Sequence, residues 1–164
     1  MFREMNMVKD KYAFTYATIF GKISISEDGE GNICGVYLPT YNLPVVTDRE
    51  TDVISEAISQ LEEYFNGKRR EFDLPLACDG TDFQKSVWSG IYAIPYGETV
   101  TYGDLAESLG NPGSYRAVGT ACGRNPIPIV VPCHRVVPSS GGIGSYGGGS
   151  ALKKKLLNLE AEFL

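Results

Sequence analysis

The stretch TYGDLAESLGNPGSYRAVGTACG, residues 101–123, decides how the second half of the chain folds. Thr101 can cap a short helix over Tyr102–Leu109, with Asp104 in the reciprocal position of a capping box. Gly110-Asn111-Pro112-Gly113 turns the chain, and Ser114 can cap a second helix that runs through Cys122 and closes at Gly123. Two short helices joined by a tight glycine-containing turn have the outline of a helix-turn-helix. The same outline occurs in domains that never touch DNA, so it predicts a fold before it predicts a partner.

Working upstream, Thr81-Asp82-Phe83-Gln84 is a capping box, and Phe83, Val87, Trp88 and Ile91 form an apolar stripe behind it. Ile94-Pro95-Tyr96-Gly97 breaks that helix. Downstream, the apolar run Ile127–Val131 leads to Cys133, and a glycine-rich loop follows over Ser139–Gly149. A last helix starts at Ser150 with Leu152, Leu156 and Leu157 inward, and Lys153-Lys154-Lys155 is assigned to its solvated face. No internal repeat is present.

The first half has a different period. YATIF, KISIS and ICGVYL within Tyr12–Leu38 show β-branched and aromatic enrichment with partial alternation, broken at Phe20-Gly21 and again over Glu27–Gly31. This predicts an antiparallel meander. A Pro/Asn-rich connector covers 39–46, and residues 52–65 place Val53, Ile54, Ala57, Ile58, Leu61, Tyr64 and Phe65 on one helical stripe that stops at Asn66-Gly67. A short strand around Phe72–Leu76 is expected to return to the sheet, with the boundary at Cys78-Asp79-Gly80. The chain therefore reads as α+β in two domains, 1–80 and 81–164.

The chain has 164 residues, 43% hydrophobic and 21% charged, an ordinary globular composition. No run approaches the roughly 18 apolar residues of a membrane span. The start, MFREMNMVKDKY, has no apolar core of signal-peptide length, which predicts a cytoplasmic protein. The net charge of −5 argues against a protein held on nucleic acid by bulk charge. The distribution qualifies that: residues 1–80 carry 8 Lys/Arg against 14 Asp/Glu, whereas residues 81–164 carry 7 against 6. Only the second half can approach phosphates without strong repulsion. Cys34, Cys78, Cys122 and Cys133 are irregularly spaced and there is one histidine, which gives no support for a zinc site.

The sharpest chemical feature is Pro132-Cys133-His134-Arg135. A free thiol is mostly protonated at neutral pH, and only the thiolate is a strong nucleophile. An imidazole with a route to the sulfur can take its proton, and a carboxylate behind the imidazole can fix its tautomer. Adjacent side chains on a strand point to opposite faces, so direct contact between Cys133 and His134 requires a bent backbone or a bridging water. Spacing alone leaves a catalytic pair and two plain buried residues equally open.

The surroundings resemble a known family. FQKSVW (83–88), IPYGETVTYGDLA (94–106), GNPGSYRAVGTACGRNPIPIVVPCHRVV (110–137), GSYGGG (144–149) and KKKLLNLE (153–160) look like the O6-alkylguanine-DNA alkyltransferases, the methylated-DNA–protein-cysteine methyltransferases. LEEYFNGKRREFDLPL (61–76) resembles, more loosely, that family's ribonuclease-H-like N-terminal domain. The resemblance implies a winged-helix-like C-terminal domain and irreversible, single-turnover transfer of an alkyl group from O6-alkylguanine, with O4-alkylthymine as a further substrate, to Cys133. By the same resemblance His134 deprotonates Cys133 through a water, Glu160 stands behind His134, Asn125 holds the hinge, and Tyr102 donates toward guanine N3. Arg116 would fill the space left by an extruded base in duplex DNA approached from the minor groove. Ser114, Tyr115, Ala117, Gly119, Arg124 and Arg135 would form the DNA-facing set, with Tyr115 standing where relatives carry a small residue. Pro128, Val136, Tyr146 and Gly147 would line the base pocket, where Gly147 replaces the serine of some relatives and offers only its N–H. The structural zinc of some relatives cannot be built from Cys34 and Cys78 alone. The expectation is a monomer with no metal, no cofactor and no membrane partner. Two competing readings are a thiol hydrolase using Cys133 and His134, and a damaged-DNA-binding module without transfer.

Overall fold

The computed structural model describes residues 9–164, so the first eight residues of the amino-terminal stretch read above lie outside the described range. The fold is α+β, and its contacts separate into two compact units, 1–79 and 80–164.

In the first unit, β1 (Tyr12–Thr18), β2 (Gly21–Glu27) and β3 (Ile33–Tyr37) form the antiparallel meander, with Phe14 opposite Ile25 and Tyr16 opposite Ile23. The sheet order is β3-β2-β1-β4, where β4 (Thr47–Asp48) pairs parallel to β1. The connector read over 39–46 thus leads into a strand that no local pattern announces. Residues 23–27 of β2 are buried throughout, as a central strand covered by a helix requires. That helix is α1 (Asp52–Phe65): Thr51 caps it by accepting from the Ile54 N–H at 3.4 Å, and Ile54, Ala57, Leu61, Tyr64 and Phe65 are buried. Val53 and Ile58 are only half-buried. The strand expected over Phe72–Leu76 reduces to a single bridge between Leu76 and Ile33. Ile33 donates to the Pro75 carbonyl at 2.8 Å and accepts from Ala77 at 3.0 Å, but Pro75 has no N–H with which to extend a ladder.

The second unit holds α2 (Asp82–Tyr92), β5 (Val100–Thr101), α3 (Tyr102–Ser108), α4 (Tyr115–Gly123), a 3₁₀ turn (Cys133–Arg135), β6 (Val136–Val137) and α5 (Ser150–Glu162). Both expected capping boxes form: Thr81 with Gln84 and Thr101 with Asp104. Helices α2, α3 and α4 pack on one another around Val87, Trp88, Ile91, Leu105 and Val118, and Trp88 donates its indole N–H to the Ala121 carbonyl at 2.9 Å. The short parallel pair β5–β6 brings Val100 beside Val136, so the start of α3 lies next to the end of the 3₁₀ turn. In α5 the inward residues are Leu152, Lys153, Leu156, Leu159 and Glu160, while Leu157 is half-buried. Among the described residues no helix is long and apolar enough to cross a membrane.

Candidate active site

The segment before Cys133 is held by one side chain. Asn125 donates its amide to the Val131 carbonyl at 2.8 Å and accepts from the Ile127 N–H at 3.0 Å. Val131 also donates to Ile127 at 2.9 Å, which closes a tight buried loop over 127–131. Inside it Ile129 has φ 72°, a left-handed conformation that a β-branched residue rarely adopts and that costs about 1–3 kcal/mol. Pro128 and the apolar run are buried within this loop. The apolar run Ile127–Val131 thus delivers Cys133 by a strained turn.

Cys133, His134 and Arg135 then form one 3₁₀ turn, so the opposed faces of a strand do not apply. All three are buried, as is Glu160 on α5. His134 Nε2 lies 2.8 Å from Glu160 Oε1. Arg135 donates from Nε to both carboxylate oxygens at 3.1 and 3.0 Å and from Nη2 to Oε1 at 2.7 Å, and its Nη1 donates to the Ile94 carbonyl at 2.7 Å. The Gly97 N–H donates to Glu160 Oε2 at 3.2 Å. Gly97 sits at φ 79°, a left-handed conformation that favours glycine and aims its N–H at the carboxylate.

Burial alone would raise the Glu160 carboxyl, but hydrogen bonds from His134 and Arg135 hold it down at about 2. It is therefore a carboxylate at neutral pH and accepts a hydrogen bond from Nε2–H, which leaves Nδ1 as the basic nitrogen of a neutral ring. His134 titrates below its ordinary value: burial dominates, Glu160 opposes it, and the charges of Arg135 and Lys153 reinforce it. The Cys133 thiol is raised by burial and lowered by an Asn125 side-chain hydrogen bond and by Lys153. Cys122 is pushed up to about 12, again chiefly by burial. Cys34, in the first unit, is raised by burial and hydrogen-bonds to the Asp10 carboxylate at 3.1 Å. Of these thiols, Cys133 adjoins the imidazole and is the one that Asn125 and Lys153 both favour as a thiolate. Among the described residues no group of three or more His, Cys, Asp or Glu is placed to hold a metal ion.

The reading of the lysine run as a solvated face holds for the exposed Lys154 and Lys155 but not for Lys153. Its side chain is fully buried, and Nζ donates to the Val136 carbonyl at 2.7 Å and the Ser145 carbonyl at 3.3 Å. It thereby ties β6 to the loop that carries Tyr146, beside Gly144, which is left-handed at φ 80° and packed against Pro138. Nζ also stands 5.9 Å from the Tyr102 ring centroid. The sequence did hold a signal: Lys153, Leu156 and Glu160 are spaced i, i+3, i+7, so an inward Glu160 brings Lys153 with it.

The remaining candidates divide. Tyr102, at the start of α3, is half-buried, and its hydroxyl is raised by burial and by the nearby Cys122 and Cys133 thiols. Gly119 faces that ring rather than solvent, since a Cβ there would lie 3.7 Å from Tyr102 Cδ1. Tyr115, Arg116, Ala117 and Thr120 are exposed on α4 and Arg124 just after it, with Arg116 5.8 Å over the Tyr115 ring. Ser114 does not cap α4. The preceding turn leaves it at φ −94°, ψ 20°, not extended, and its hydroxyl donates back to Asn111 at 2.7 Å. Arg135 is only 6% exposed and its guanidinium is committed to Glu160 and Ile94, so it is withdrawn from the DNA-facing set. Val136 is buried, Tyr146 half-buried and Gly147 exposed on the glycine-rich loop.

Comparison with known proteins finds relatives for both units. Residues 82–162 match the model of the 6-O-methylguanine DNA methyltransferase DNA-binding domain, and residues 11–78 that of its ribonuclease-like domain. The chain is 57% identical over 105 residues to a methylated-DNA–protein-cysteine methyltransferase of Methanosarcina barkeri, covering 64% of this chain and 66% of that protein. It is 54% identical over 106 residues to one of Mycobacterium tuberculosis, covering 65% and 64%. The aligned segments thus span about two thirds of these curated relatives. Its structure resembles Mycobacterium tuberculosis OGT in complex with DNA at a TM-score of 0.87 and 39% identity, covering 93% of this chain and 94% of that one. The O6-methylguanine-DNA methyltransferase of Pyrococcus kodakaraensis aligns at a TM-score of 0.56 and 28% identity, covering 90% and 98%.

Proposed function

The chain belongs to the 6-O-methylguanine DNA methyltransferase family, and on that premise we propose that it repairs alkylated duplex DNA by moving the alkyl group of O6-alkylguanine onto its own Cys133. The observation that carries this reading is the single 3₁₀ turn that buries a thiol next to an imidazole whose far nitrogen is fixed by Glu160.

The Cys133 proton passes to His134 through a bridging water, because burial keeps the resting thiol protonated and the neutral ring offers Nδ1 as base. The sulfur electron pair forms the S–C bond while the C–O6 bond breaks and its pair returns to the guanine. A proton from the Tyr102 hydroxyl to N3 lets the base leave neutral. The thioether has no easy hydrolytic exit, so each molecule acts once. Asn125 and the strained Ile129 turn hold the sulfur in place, and O4-alkylthymine is a further substrate for the same displacement.

An alkylated base in a duplex cannot reach a buried sulfur and must leave the stack. The exposed face of α4 supplies Arg116 to fill the gap, and Ala117 lets the helix approach a minor groove closely. Pro128, Val136, Tyr146 and the Gly147 N–H are assigned to the pocket for the extruded base. The protein works as a monomer.

The test is intact mass and peptide mapping after incubation with a duplex containing O6-methylguanine. One methyl group per molecule, on the peptide carrying Cys133, is the expected result. A label on Cys34, Cys78 or Cys122 overturns the assignment, and continuing turnover with an activated ester restores the thiol-hydrolase reading.

A further inference from the structure

Glu160 stands at the centre of a buried cluster, and three of its hydrogen bonds come from Arg135, a residue outside the proton relay. Of its protein partners, Arg135 supplies three contacts at 2.7–3.1 Å, His134 one at 2.8 Å and Gly97 one at 3.2 Å. A buried carboxylate beside an imidazole favours the imidazolium, and an imidazolium cannot accept a thiol proton. A guanidinium fork on the same carboxylate has the opposite effect. It offsets the negative charge, and its fixed planar geometry holds the carboxylate in one orientation.

We propose that Arg135 is a positioning residue of thiol activation: by clamping both oxygens of Glu160 it aims the carboxylate at His134 while offsetting its charge, so that the ring meets the thiol as an uncharged base. This rests on the proposed role of Cys133 and deepens it. The groups that act on His134 are Glu160 and Lys153 on α5 and Arg135 on its own turn, which also holds the adjacent Cys133, while Tyr96, on the 94–97 break, lies 5.6 Å under the Arg135 guanidinium. Of these only Glu160 favours a charged ring through both charge and hydrogen bond, and Arg135 is the cation that contacts it. Arg135 has its own anchor in the Ile94 carbonyl at 2.7 Å, so its position does not depend on the carboxylate alone.

The chain contains one histidine, so imidazole nitrogen NMR of the whole protein reads one ring, its tautomer and its titration, without any reaction taking place. In the native protein the ring should be the neutral Nε2–H tautomer, titrating below the ordinary 6.5. Arg135→Gln keeps a donor but removes the charge. It should move the midpoint up by about one pH unit, tenfold in proton affinity, and slow alkylation by free O6-methylguanine base at pH near 6.5 by no more than about fivefold, because a native midpoint below 6.5 leaves at least half of the rings neutral before the change. Arg135→Lys keeps the charge and should shift the midpoint less than half as far. An unmoved midpoint in Arg135→Gln, or equal shifts in both variants, overturns the proposal and leaves Arg135 a structural staple. If Arg135→Gln does not fold, the native titration decides: a midpoint at or above 6.5 means that Glu160 acts uncompensated, and the proposal fails. Native protein that shows the expected titration but takes no alkyl group from DNA or base counts against the proposed function, not against the clamp.

Discussion

The outer face of α4 and the turn Cys133–Arg135 lie in the same unit and each carries an arginine, yet they put it to opposite use. Arg116 stands in solvent over the exposed ring of Tyr115, and Arg135 is buried with its guanidinium bound to a carboxylate and a carbonyl. An exposed arginine contributes little to stability and is available to a partner. A buried, paired one cannot be removed without leaving an uncompensated charge, at a cost of about 3–5 kcal/mol. Sequence alone treated the two as members of one DNA-facing set. The difference divides the candidate machinery into a surface that meets the substrate and an interior that prepares the nucleophile, and each can be broken separately.

The largest effect should come from Cys133→Ala. Transfer should be abolished, while duplex binding measured by fluorescence anisotropy stays within about twofold, because the α4 face does not contain Cys133. Loss of both activities together would mean that the cysteine supports the fold and that interior and surface are not separable.

Next in size is Glu160→Gln, which leaves Arg135 buried without its counter-charge. Denaturant unfolding should show a loss on the order of 3 kcal/mol at neutral pH. The pH dependence carries the sign. Glu160 titrates at about 2 when folded against an ordinary 4.5, so its contribution is full above about 4.5 and is lost as pH falls toward 2. His134 titrates below its ordinary 6.5 because the folded state disfavours the charged ring, so its contribution too is present above 6.5 and is lost as acid forces the proton on. The native protein should therefore weaken in two stages on acidification, the first starting below about 6.5. Glu160→Gln should lose the second stage, and an unchanged acid profile would contradict the buried ion pair.

Arg116→Ala tests the surface half. Stability should change by no more than about 0.5 kcal/mol. Repair of a duplex should slow by about tenfold or more, whereas the reaction with free O6-methylguanine base stays near normal, because a free base needs no extrusion. Equal loss on both substrates would place Arg116 in the chemistry and remove the division.

The two regions also differ in how far the sequence revealed them. The helices, both capping boxes and the meander were legible because a cap or an alternation is satisfied within a few residues. The Cys133-His134 pair was legible as chemistry, and the resemblance supplied Glu160 and Asn125. What stayed hidden depends on distant partners. The burial of Lys153 follows from carbonyls at Val136 and Ser145, and the commitment of Arg135 from Glu160, 25 residues away, and from Ile94, 41 residues away. The left-handed Ile129 follows from the Asn125 clamp around it, and β4 from its pairing with β1. Ser114 fails as a cap because the turn before it fixes its backbone, a geometry that its residue type does not encode.

The smallest expected effect concerns salt. Each phosphate neutralised on duplex DNA contributes roughly −0.9 to the slope of log affinity against log salt. With Arg135 and Lys153 buried and committed, Arg116 and Arg124 are the exposed cations on and just after α4, with Lys85 half-buried on α2 and Lys154 and Lys155 exposed on α5. Backbone N–H groups at the start of α4 can hold a phosphate without adding a cation of their own. The slope should therefore be shallow, on the order of −2 to −4, and Arg124→Ala should reduce it by about 1 without changing preference among sequences. A titration at several salt concentrations reads this directly. A slope near −8 would require more phosphate contacts than these side chains supply. It would replace docking through one helix with an extended basic surface, and the separation between a binding face and a buried nucleophile would no longer describe the protein.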